Sequence, residues 1–482
     1  MRRILCFLFF LVVILGCQGK SISPLDWGFN QANTSVERFY ILHAVHLEAV
    51  KMGVDVNYSG MPKEFEIEIP INATSICLTE NNNFKGITIH VLNKQKEVFL
   101  FERKGFLSSI ELSKKEIDNA DFRNDTVLNE GKCLLIIEDT NIWTERIGYD
   151  YSVKRKDILL LEGGKGKNRV IQPYNNAYSS PKCSYRCVNN ERTIVRNLTI
   201  IRSKESTEKT YGLQLVNLND IEIKNVNIGT SESNMYGDMA INIMNCTNVL
   251  VKDVNISGTY SQANKYGYGI HMNNVYNSYF ERLKASASWG VFGTNNMNFV
   301  KLEDCDINRF DIHCYGKNVY CKNVTFRTLY NQFSSFYGEL TFKKCRFKNF
   351  IPVLLEPSFN AYTNFQLNMI NCKWEIAEAR NYLLYAGQLG DVSNKRTELT
   401  EKWLPSILLK NLKVSVPMNV REVYLFKPET VSSNNTISPS KIVIDGLEFI
   451  CPQGHKGIDL KFSTKDIQFE GEVTYTCKRI QS

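Results

Sequence analysis

The sequence predicts an all-β fold, a single-stranded right-handed parallel β-helix solenoid whose first coil is covered by an N-terminal capping helix. The main observation is a five-residue pattern that recurs ten times along the chain. Its central apolar residues are Leu198, Val226, Val254, Leu283, Cys305, Val324, Cys345, Cys372, Leu412 and Leu447. They lie 19 to 40 residues apart, which is the length of one supersecondary unit stacked on the next.

Each repeat also carries the alternation of a β-strand. Residues 221–228 alternate apolar and polar side chains, and Asn, Gly, Asp and Ser separate such stretches without a helix-period segment between them. A leucine-rich repeat would need a denser lattice of leucines. The central residues are therefore predicted to form an interior ladder, in which the cysteines act as small apolar side chains. Asparagine precedes five of them and suits a tight bend, at Asn197, Asn225, Asn323, Asn371 and Asn411.

The first residues predict a signal. Residues 1–16 combine two arginines with an apolar run too short to span a membrane comfortably, and Ile14-Leu-Gly precedes Cys17. This pattern is typical of a bacterial lipoprotein, so Cys17 is expected to be lipidated. The mature chain would be exported to the outer membrane, at its surface or its periplasmic face. The lipid would be its only contact with a membrane, and we expect a monomer.

Residues 17–51 are predicted to be a tether and the capping helix. Val36 to Lys51 has helical periodicity, and Asn33-Thr-Ser35 offers an N-cap before it. A solenoid needs such a cap because its first coil has an open strand edge. His43 and His46 share this helix without the further ligands of a metal site, which favours a structural role.

The rest of the chain divides into three regions. Residues 52–190 are predicted to be irregular first coils and long loops, 191–417 the regular β-helix, and 418–482 the C-terminal coils and cap. Cys183 and Cys187 lie in a loop-like segment. They are either a disulfide or free thiols, since a Cys-x3-Cys spacing allows both.

Composition and net charge limit the classes of binding partner that the chain could have. Of the 482 residues, 43% are hydrophobic, so a large core is available. A net charge of +8 is compatible with an anionic partner or with a lysine-rich surface. The densest basic stretch, residues 154–169, flanks a strand pattern and has no nucleic-acid motif beside it. The Gly-Gly-Lys-Gly-Lys sequence at 163–167 lacks the context of a phosphate loop. No nucleic-acid partner is therefore predicted.

A second repeat aligns the other strand of five coils and defines a face suited to chemistry. One outward column reads Gln214, Asn242, His271, Gly293 and His313. On the same face lie Asn273, Asn295, Tyr315, Arg309 and Asp311. Because strands stack about 4.8 Å apart, His271 and His313 are predicted to lie roughly 10 Å apart, across a hollow left by Gly293 that could hold a sugar ring. Alternatively, these Asn and His side chains only bond to covering loops.

The coil stack, the helix and the lipoprotein start resemble the pectate-lyase-like superfamily of right-handed β-helices. That resemblance implies polysaccharide lyases, hydrolases and tailspike-type adhesins. Residues 289–295 and 309–313 resemble segments of β-helix proteins of gut bacteria and phages, and the layout is similar to exported chondroitin-sulfate-lyase lipoproteins of gut bacteria. The Asp-rich calcium cluster of pectate lyases has no clear counterpart, so no metal or cofactor is predicted and a Ca²⁺ mechanism is not supported.

The first hypothesis is a lyase that cleaves an acidic, uronic-acid-containing polysaccharide, with glycosaminoglycans among the candidates. β-Elimination needs a base, stabilisation of an enolate and an acid for the leaving oxygen. His271 and His313 are the candidate bases, Arg309 would neutralise the carboxylate and Tyr315 would protonate the leaving group. The remaining candidate substrate contacts are Asn242, Asn273, Asn295, Gly293, Asp311, Tyr268 and Trp289.

Two other classes stay open. A glycoside hydrolase needs two carboxylates about 5 to 9.5 Å apart, and the candidates Asp238, Asp311 and Glu356 are scattered over several coils. A protein that binds glycans without cleaving them would use aromatic platforms at coil starts. The candidates for these platforms are Tyr236, Tyr266, Tyr268 and Trp289.

Overall fold

The computed structural model describes most of the chain beyond residue 20. The described residues are 21–92, 97–103, 108–119, 121–129, 131–145, 152–166, 181–188, 192–202, 211–230, 236–237, 239–257, 259–260, 268–285, 290–327, 330–333, 336–348, 351–355, 364–377, 381–386, 406–428, 441–462 and 467–476. The predicted signal, Cys17 and Trp289 lie outside them. No helix in these ranges is long and apolar enough to cross a membrane.

Strands dominate the described chain. In chain order they are β1 (Ser21–Ile22), β2 (Asp55–Val56), β3 (Glu64–Ile67), β4 (Ile76–Cys77), β5 (Asn81–Val91), β6 (Phe99–Glu102), β7 (Ser108–Ile110), β8 (Lys132–Glu145), β9 (Ser152–Glu162), β10 (Lys165–Gly166), β11 (Pro181–Cys187), β12 (Thr193–Arg202), β13 (Tyr211–Val216), β14 (Asn219–Thr230), β15 (Tyr236–Gly237), β16 (Met239–Ile256), β17 (Thr259–Tyr260), β18 (Tyr268–Glu281), β19 (Lys284–Ala285), β20 (Gly290–Glu303), β21 (Asp306–Ile307), β22 (Phe310–Lys322), β23 (Thr325–Phe326), β24 (Tyr330–Phe333), β25 (Phe336–Lys343), β26 (Arg346–Phe347), β27 (Ile351–Leu355), β28 (Asn364–Ile370), β29 (Lys373–Glu375), β30 (Tyr382–Ala386), β31 (Ser406–Ser415), β32 (Glu422–Pro428), β33 (Lys441–Ile450), β34 (Asp459–Phe462), β35 (Ile467–Phe469) and β36 (Val473–Tyr475). The helices are a 3-10 turn (Pro24–Trp27), α1 (Ser35–Met52), α2 (Lys114–Asn119) and α3 (Thr126–Asn129).

The predicted N-terminal helix is observed as α1. Thr34 and Glu37 form a reciprocal capping box, and Gly53 ends the helix in the left-handed conformation. The helix packs against β3 and β4, the first solenoid strands, and the guanidinium of Arg38 donates to the carbonyl of Glu66 at 2.7 Å. His46 has the expected structural role, since its buried ring lies 2.6 Å from the Tyr58 hydroxyl.

Twenty-seven strands between β3 and β36 form one parallel solenoid, which confirms the predicted β-helix fold class. The predicted interior ladder is present. Leu198 pairs with Val226 and Val226 with Val254, and all ten central residues are buried. The five predicted bend asparagines all have a positive φ, between 51° and 59°. Their amides also bond along the stack, as from Asn225 to Asn197 at 3.1 Å.

The described residues between 108 and 188 differ from the prediction of irregular coils and loops. Strands β7 to β11 form a five-stranded antiparallel sheet in the order β10-β9-β8-β11-β7. An alternating strand reads alike in a parallel coil and in an antiparallel hairpin, so the pattern alone did not separate them. This antiparallel sheet packs on the solenoid through an apolar cluster around Tyr276, through buried Lys317 bonded to Asp157, and through Arg186, which donates to main-chain carbonyls at a coil corner.

Cys183 and Cys187 are both free thiols. They occupy one strand four residues apart, about 13 Å along an extended chain, and this is too far for a disulfide. The cross-strand partner of Cys187 is Cys133, and their sulfur atoms lie 3.7 Å apart. Of the two alternatives left open by the spacing, free thiols are the one observed.

Candidate functional site

The second repeat forms a continuous outward column on one face of the solenoid, which we name the site column. Parallel register places its members in the order Gln214, Asn242, His271, Gly293, Asp311 and Gln332. The predicted column had His313 after Gly293, and this is wrong by two residues. Phe310 stacks on Phe292 with ring centroids 4.8 Å apart, and a register shift follows at His313. Asp311 therefore takes the place expected for the histidine.

The hollow predicted beside Gly293 is filled by an aromatic ring. A Cβ on Gly293 would lie 2.6 Å from two ring atoms of Tyr268, closer than real contacts allow. Glycine at this position therefore lets the Tyr268 ring lie flat against the strand. The side chain of Tyr268 is buried by this contact, so the site column offers no sugar-sized cavity there.

Asp311 and Arg309 form a buried ion pair beneath this ring. A guanidinium nitrogen of Arg309 lies 2.6 Å from Asp311 Oδ2, and the two side chains are 0% and 1% exposed. Burial alone would raise the pKa of Asp311, but the charge of Arg309 and the bonds from His313 and Tyr268 outweigh it and hold that pKa below its ordinary value. Arg309 was expected to meet a substrate carboxylate, and the structure instead commits it to Asp311.

Tyr268 links this ion pair to a half-exposed histidine. Its hydroxyl donates to Asp311 Oδ2 at 2.8 Å and lies 2.9 Å from His313 Nε2. Since the hydroxyl proton points to the carboxylate, the phenol oxygen accepts from a protonated Nε2. His313 also lies 3.4 Å from Asp311, and its side chain is 24% exposed. The buried pair therefore fixes both the tautomer and the position of a ring at the surface.

His271 lies two positions before Asp311 in the site column and is oriented in a different way. Its Nδ1 is 3.0 Å from Asn242 Oδ1, and Asn242 is itself buried. An amide oxygen can only accept, so Nδ1 carries the proton and the neutral ring holds its lone pair on Nε2. The half-exposed His271 thus has the electronic form of a general base.

Asn273 and Asn295 are neighbours beside the site column, as predicted, and both are half-buried. The backbone of Tyr315 belongs to β22, but its side chain lies outside the described residues. Among the hydrolase and platform candidates, Asp238, Glu356, Tyr266 and the side chain of Tyr236 also lie outside them. No group of three His, Cys, Asp or Glu in the described part of the chain could hold a metal ion.

Sequence reasoning missed two residues that complete the site. The Arg309 guanidinium lies 4.3 Å from the centre of the Tyr330 ring and donates to Gln332 Oε1 at 3.4 Å. Both belong to β24, a four-residue strand too short to stand out by alternation. A signal was available, since Gln332-Phe333 repeats the polar-out, apolar-in step of Asp311-Ile312.

The chain is therefore a parallel β-helix, and its site column carries two oriented, half-exposed histidines next to the buried Asp311–Arg309 pair. No protein-family model matches the sequence, and no curated protein matches it. Among solved structures, the chain is similar to the tailspike protein gp49 of Pseudomonas phage LKA1, with a TM-score of 0.61 and 11% identity over 94% of this chain and 80% of that one. It is also similar to the Gp54 tailspike of Acinetobacter baumannii bacteriophage AP22 in complex with a capsular saccharide, with a TM-score of 0.52 and 10% identity over 94% and 76%. It is similar as well to the tailspike gp61 of Pseudomonas phage phi297, with a TM-score of 0.51 and 12% identity over 91% of this chain and 82% of that one. At such identities the likeness establishes the fold alone.

Proposed function

We propose that the protein acts on glycans, as a lyase that cleaves an acidic, uronic-acid-containing polysaccharide by β-elimination. The observation that carries the proposal is the contrast within the site. Its two histidines, His271 and His313, are half-exposed, whereas Asp311 is sealed against Arg309. Proton transfer at this face would therefore run through imidazole.

His271 is proposed as the base. Elimination removes the proton α to a uronate carboxylate, and Asn242 already holds the proton of His271 on Nδ1. The lone pair on Nε2 is then the one that takes the substrate proton. Asn242 acts through the imidazole and is a positioning residue.

His313 is proposed to stabilise the developing negative charge as an imidazolium, which donates from Nδ1–H while Nε2–H stays bonded to Tyr268. The contact to Tyr268 fixes its ring next to the Asp311–Arg309 pair, so little reorganisation is needed when the enolate forms. Asn273 and Asn295 supply amide donors beside the column. Tyr315, five residues after the start of β22, remains the proposed acid for the leaving oxygen.

A hydrolase is less well supported by the described residues. Inverting and retaining hydrolases both need two accessible carboxyl groups, one of them able to give up a proton. Asp311 is 1% exposed and its pKa is lowered, so it is neither accessible nor protonated near neutral pH. The AP22 tailspike in complex with a capsular saccharide supports a glycan ligand for this fold without specifying the chemistry.

The test is to incubate the full chain with polygalacturonate, alginate, hyaluronan and chondroitin sulfate and to follow two products. A lyase produces both ultraviolet-absorbing unsaturated uronates and new reducing ends. Hydrolysis would give reducing ends without that absorbance, and binding alone would give neither. Either of the last two outcomes overturns the proposal.

The histidine assignment has a matched control. His271→Ala and His313→Ala should each lower turnover by roughly 10²-fold, the usual scale for losing acid–base catalysis. His90→Ala should leave it unchanged, because the His90 side chain is 25% exposed, like that of His313, but lies on β5 and bonds to Glu64. Circular dichroism checks that the variants stay folded. Wild-type turnover in both site variants contradicts the assignment.

We also infer from the Ile14-Leu-Gly-Cys17 sequence that the chain is an exported lipoprotein of the outer membrane. Changing Cys17 to Ala should release the protein from the membrane fraction. A Cys17→Ala protein that still sediments with membranes after a high-salt wash would locate the anchor elsewhere.

A further inference from the structure

Beyond the candidate site, the same face of the solenoid carries a cluster of aromatic side chains, the tyrosine platform, formed by Tyr382, Tyr385, Tyr424 and Lys427. The Tyr382 ring stacks on Tyr385 with centroids 5.5 Å apart and meets Tyr424 edge-on at 5.3 Å. All four side chains are half-buried. They form an ordered aromatic surface on β30 and β32 that is open to solvent in part.

The platform is in line with the site column. Register continues the column from Gln332 to Leu354, then to Tyr385 and to Lys427. Tyr385 is three coil steps from Asp311, which is about 14 Å at 4.8 Å per strand. A polymer lying along the solenoid could therefore contact both places at once.

Lys427 gives the platform a positive charge. Its ammonium lies 4.7 Å from the centre of the Tyr382 ring and 5.2 Å from that of Tyr424, and it donates to the Tyr382 hydroxyl at 3.1 Å. Within the described part of the chain it forms no ion pair. On the same strand Glu422 accepts from the Tyr424 hydroxyl, and on the next strand Asp459 pairs with Lys461. An ammonium has three donors, and only one is used here.

We infer that the tyrosine platform is a second binding subsite for one acidic sugar unit of the polysaccharide. The apolar C–H face of a pyranose packs on tyrosine rings, while Lys427 pairs with the carboxylate or sulfate of the same unit. This inference rests on the proposed function for the class of ligand. It goes beyond that function by assigning a site away from the histidines, which holds the chain but performs no chemistry.

Affinity electrophoresis of the full chain tests the inference, in gels that contain polygalacturonate, alginate, hyaluronan or chondroitin sulfate. Tyr424→Ala and Lys427→Gln should each weaken retardation by roughly tenfold, about the contribution of one aromatic or cationic contact. Tyr424→Phe keeps the ring and should bind as the unchanged protein does. Tyr40→Ala is the matched control, because Tyr40 is a 52% exposed tyrosine on the distant helix α1.

The outcomes separate this inference from the proposed function. If Tyr424→Ala and Lys427→Gln are retarded like the unchanged protein while His271→Ala abolishes product release, the platform is wrong and the lyase stands. If they lose retardation but no glycan yields an unsaturated product, the platform stands and the lyase fails. If neutral dextran retards the unchanged protein as strongly as the acidic glycans do, or if no gel retards it, the platform is not a subsite for acidic sugars.

Discussion

Asp311 shows how one buried residue can organise a surface site without contacting a ligand. Its carboxylate accepts from Tyr268 and pairs with Arg309, and through Tyr268 it positions the half-exposed His313. A buried carboxylate is costly to desolvate, so this arrangement depends on the Arg309 charge. We therefore expect changes at Arg309 to act on folding first and on function through His313.

Changing Arg309 to Met should lower the free energy of unfolding by about 3–5 kcal/mol, because it leaves Asp311 buried and uncompensated. Thermal unfolding measures the loss. Arg327→Met is the control, since Arg327 forms an exposed pair with Asp306 at 2.5 Å and should change stability by at most about 1 kcal/mol. Pairing Arg309→Met with Asp311→Leu should recover most of the loss. Equal melting of Arg309→Met and the unchanged protein would contradict this account.

The ion pair also has a pH signature. The folded-state pKa of Asp311 is lowered, so its contribution is complete above the unfolded value of about 3.9 and is lost as pH falls below it. The Arg309→Met/Asp311→Leu protein should thus lose less stability than the unchanged protein below about pH 4. Melting curves at several acidic pH values would show this, and parallel losses in both proteins would count against it.

Gly293 and Tyr268 should be strongly coupled. Gly293→Ala places a Cβ against the Tyr268 ring and should cost about 1–3 kcal/mol, the usual cost of overpacking. In a Tyr268→Ala background the same change should cost almost nothing. A double-mutant cycle by chemical denaturation isolates the pair. Equal costs in the two backgrounds would show that the ring does not lie over the glycine.

The sequence predicted part of the site column correctly but not the register at its far end. Alternation correctly placed Asn242, His271 and Gly293 in one column. It could not separate His313 from Asp311 as the next member, because a shift of two residues keeps every side chain on its own face. The choice is made by Phe310 stacking on Phe292, a contact between coils that no single-strand pattern contains. Burial of Arg309 likewise depends on Tyr330 from the following coil.

At the scale of elements, α1 and the asparagine bends were predictable because both depend on local chemistry. A capping box spans only four consecutive residues, and asparagine tolerates the left-handed backbone of a tight bend. The antiparallel sheet from β7 to β11 was not predictable. Its strands pair with one another across the chain, and the alternation of one strand does not name its partner.

Helix α1 should make the N-terminal coil sensitive to acid. Burial lowers the pKa of His46 to about 3, well below the unfolded value near 6.5. Below pH 6.5 the unfolded chain therefore binds a proton at His46 that the folded chain does not bind. The free energy of unfolding should fall by about 1.4 kcal/mol per pH unit in this range. His46→Gln cannot titrate and can still bond to Tyr58. Hydrogen exchange of α1 between pH 6.5 and 4 should show a smaller increase in this variant, and identical profiles would be evidence against the effect.

At the scale of the whole molecule, the antiparallel sheet covers one face of the solenoid and leaves the site column on another. The covered face contains Tyr276, Asn298 and Lys317, which occupy one outward column and are all buried. The proposed glycan ligand would therefore bind on the face that carries the histidines and the tyrosine platform.

The contact between the sheet and the solenoid depends on Lys317 and Asp157. Lys317→Met leaves Asp157 buried without its partner and should loosen residues 108–188, lowering the melting temperature and speeding limited proteolysis there. The double change Lys317→Met/Asp157→Leu should restore resistance. Lys322→Met should have little effect, because Lys322 is on the same strand but its side chain is 41% exposed where it pairs with Glu303. Equal cleavage rates for Lys317→Met and Lys322→Met would contradict this docking contact.

The buried cysteines of the interior ladder can report how often individual coils open in the native protein. Cys305, Cys345 and Cys372 are buried in one column of the stack, with Val324 between the first two, and burial raises the pKa of the Cys305 thiol to about 11. A thiol reagent attacks only a solvated thiolate, so each of these residues can be labelled only during the moments when its own coil opens. Mass spectrometry of the labelled peptides would therefore measure the local opening rate of each coil in the native protein, without any introduced probe.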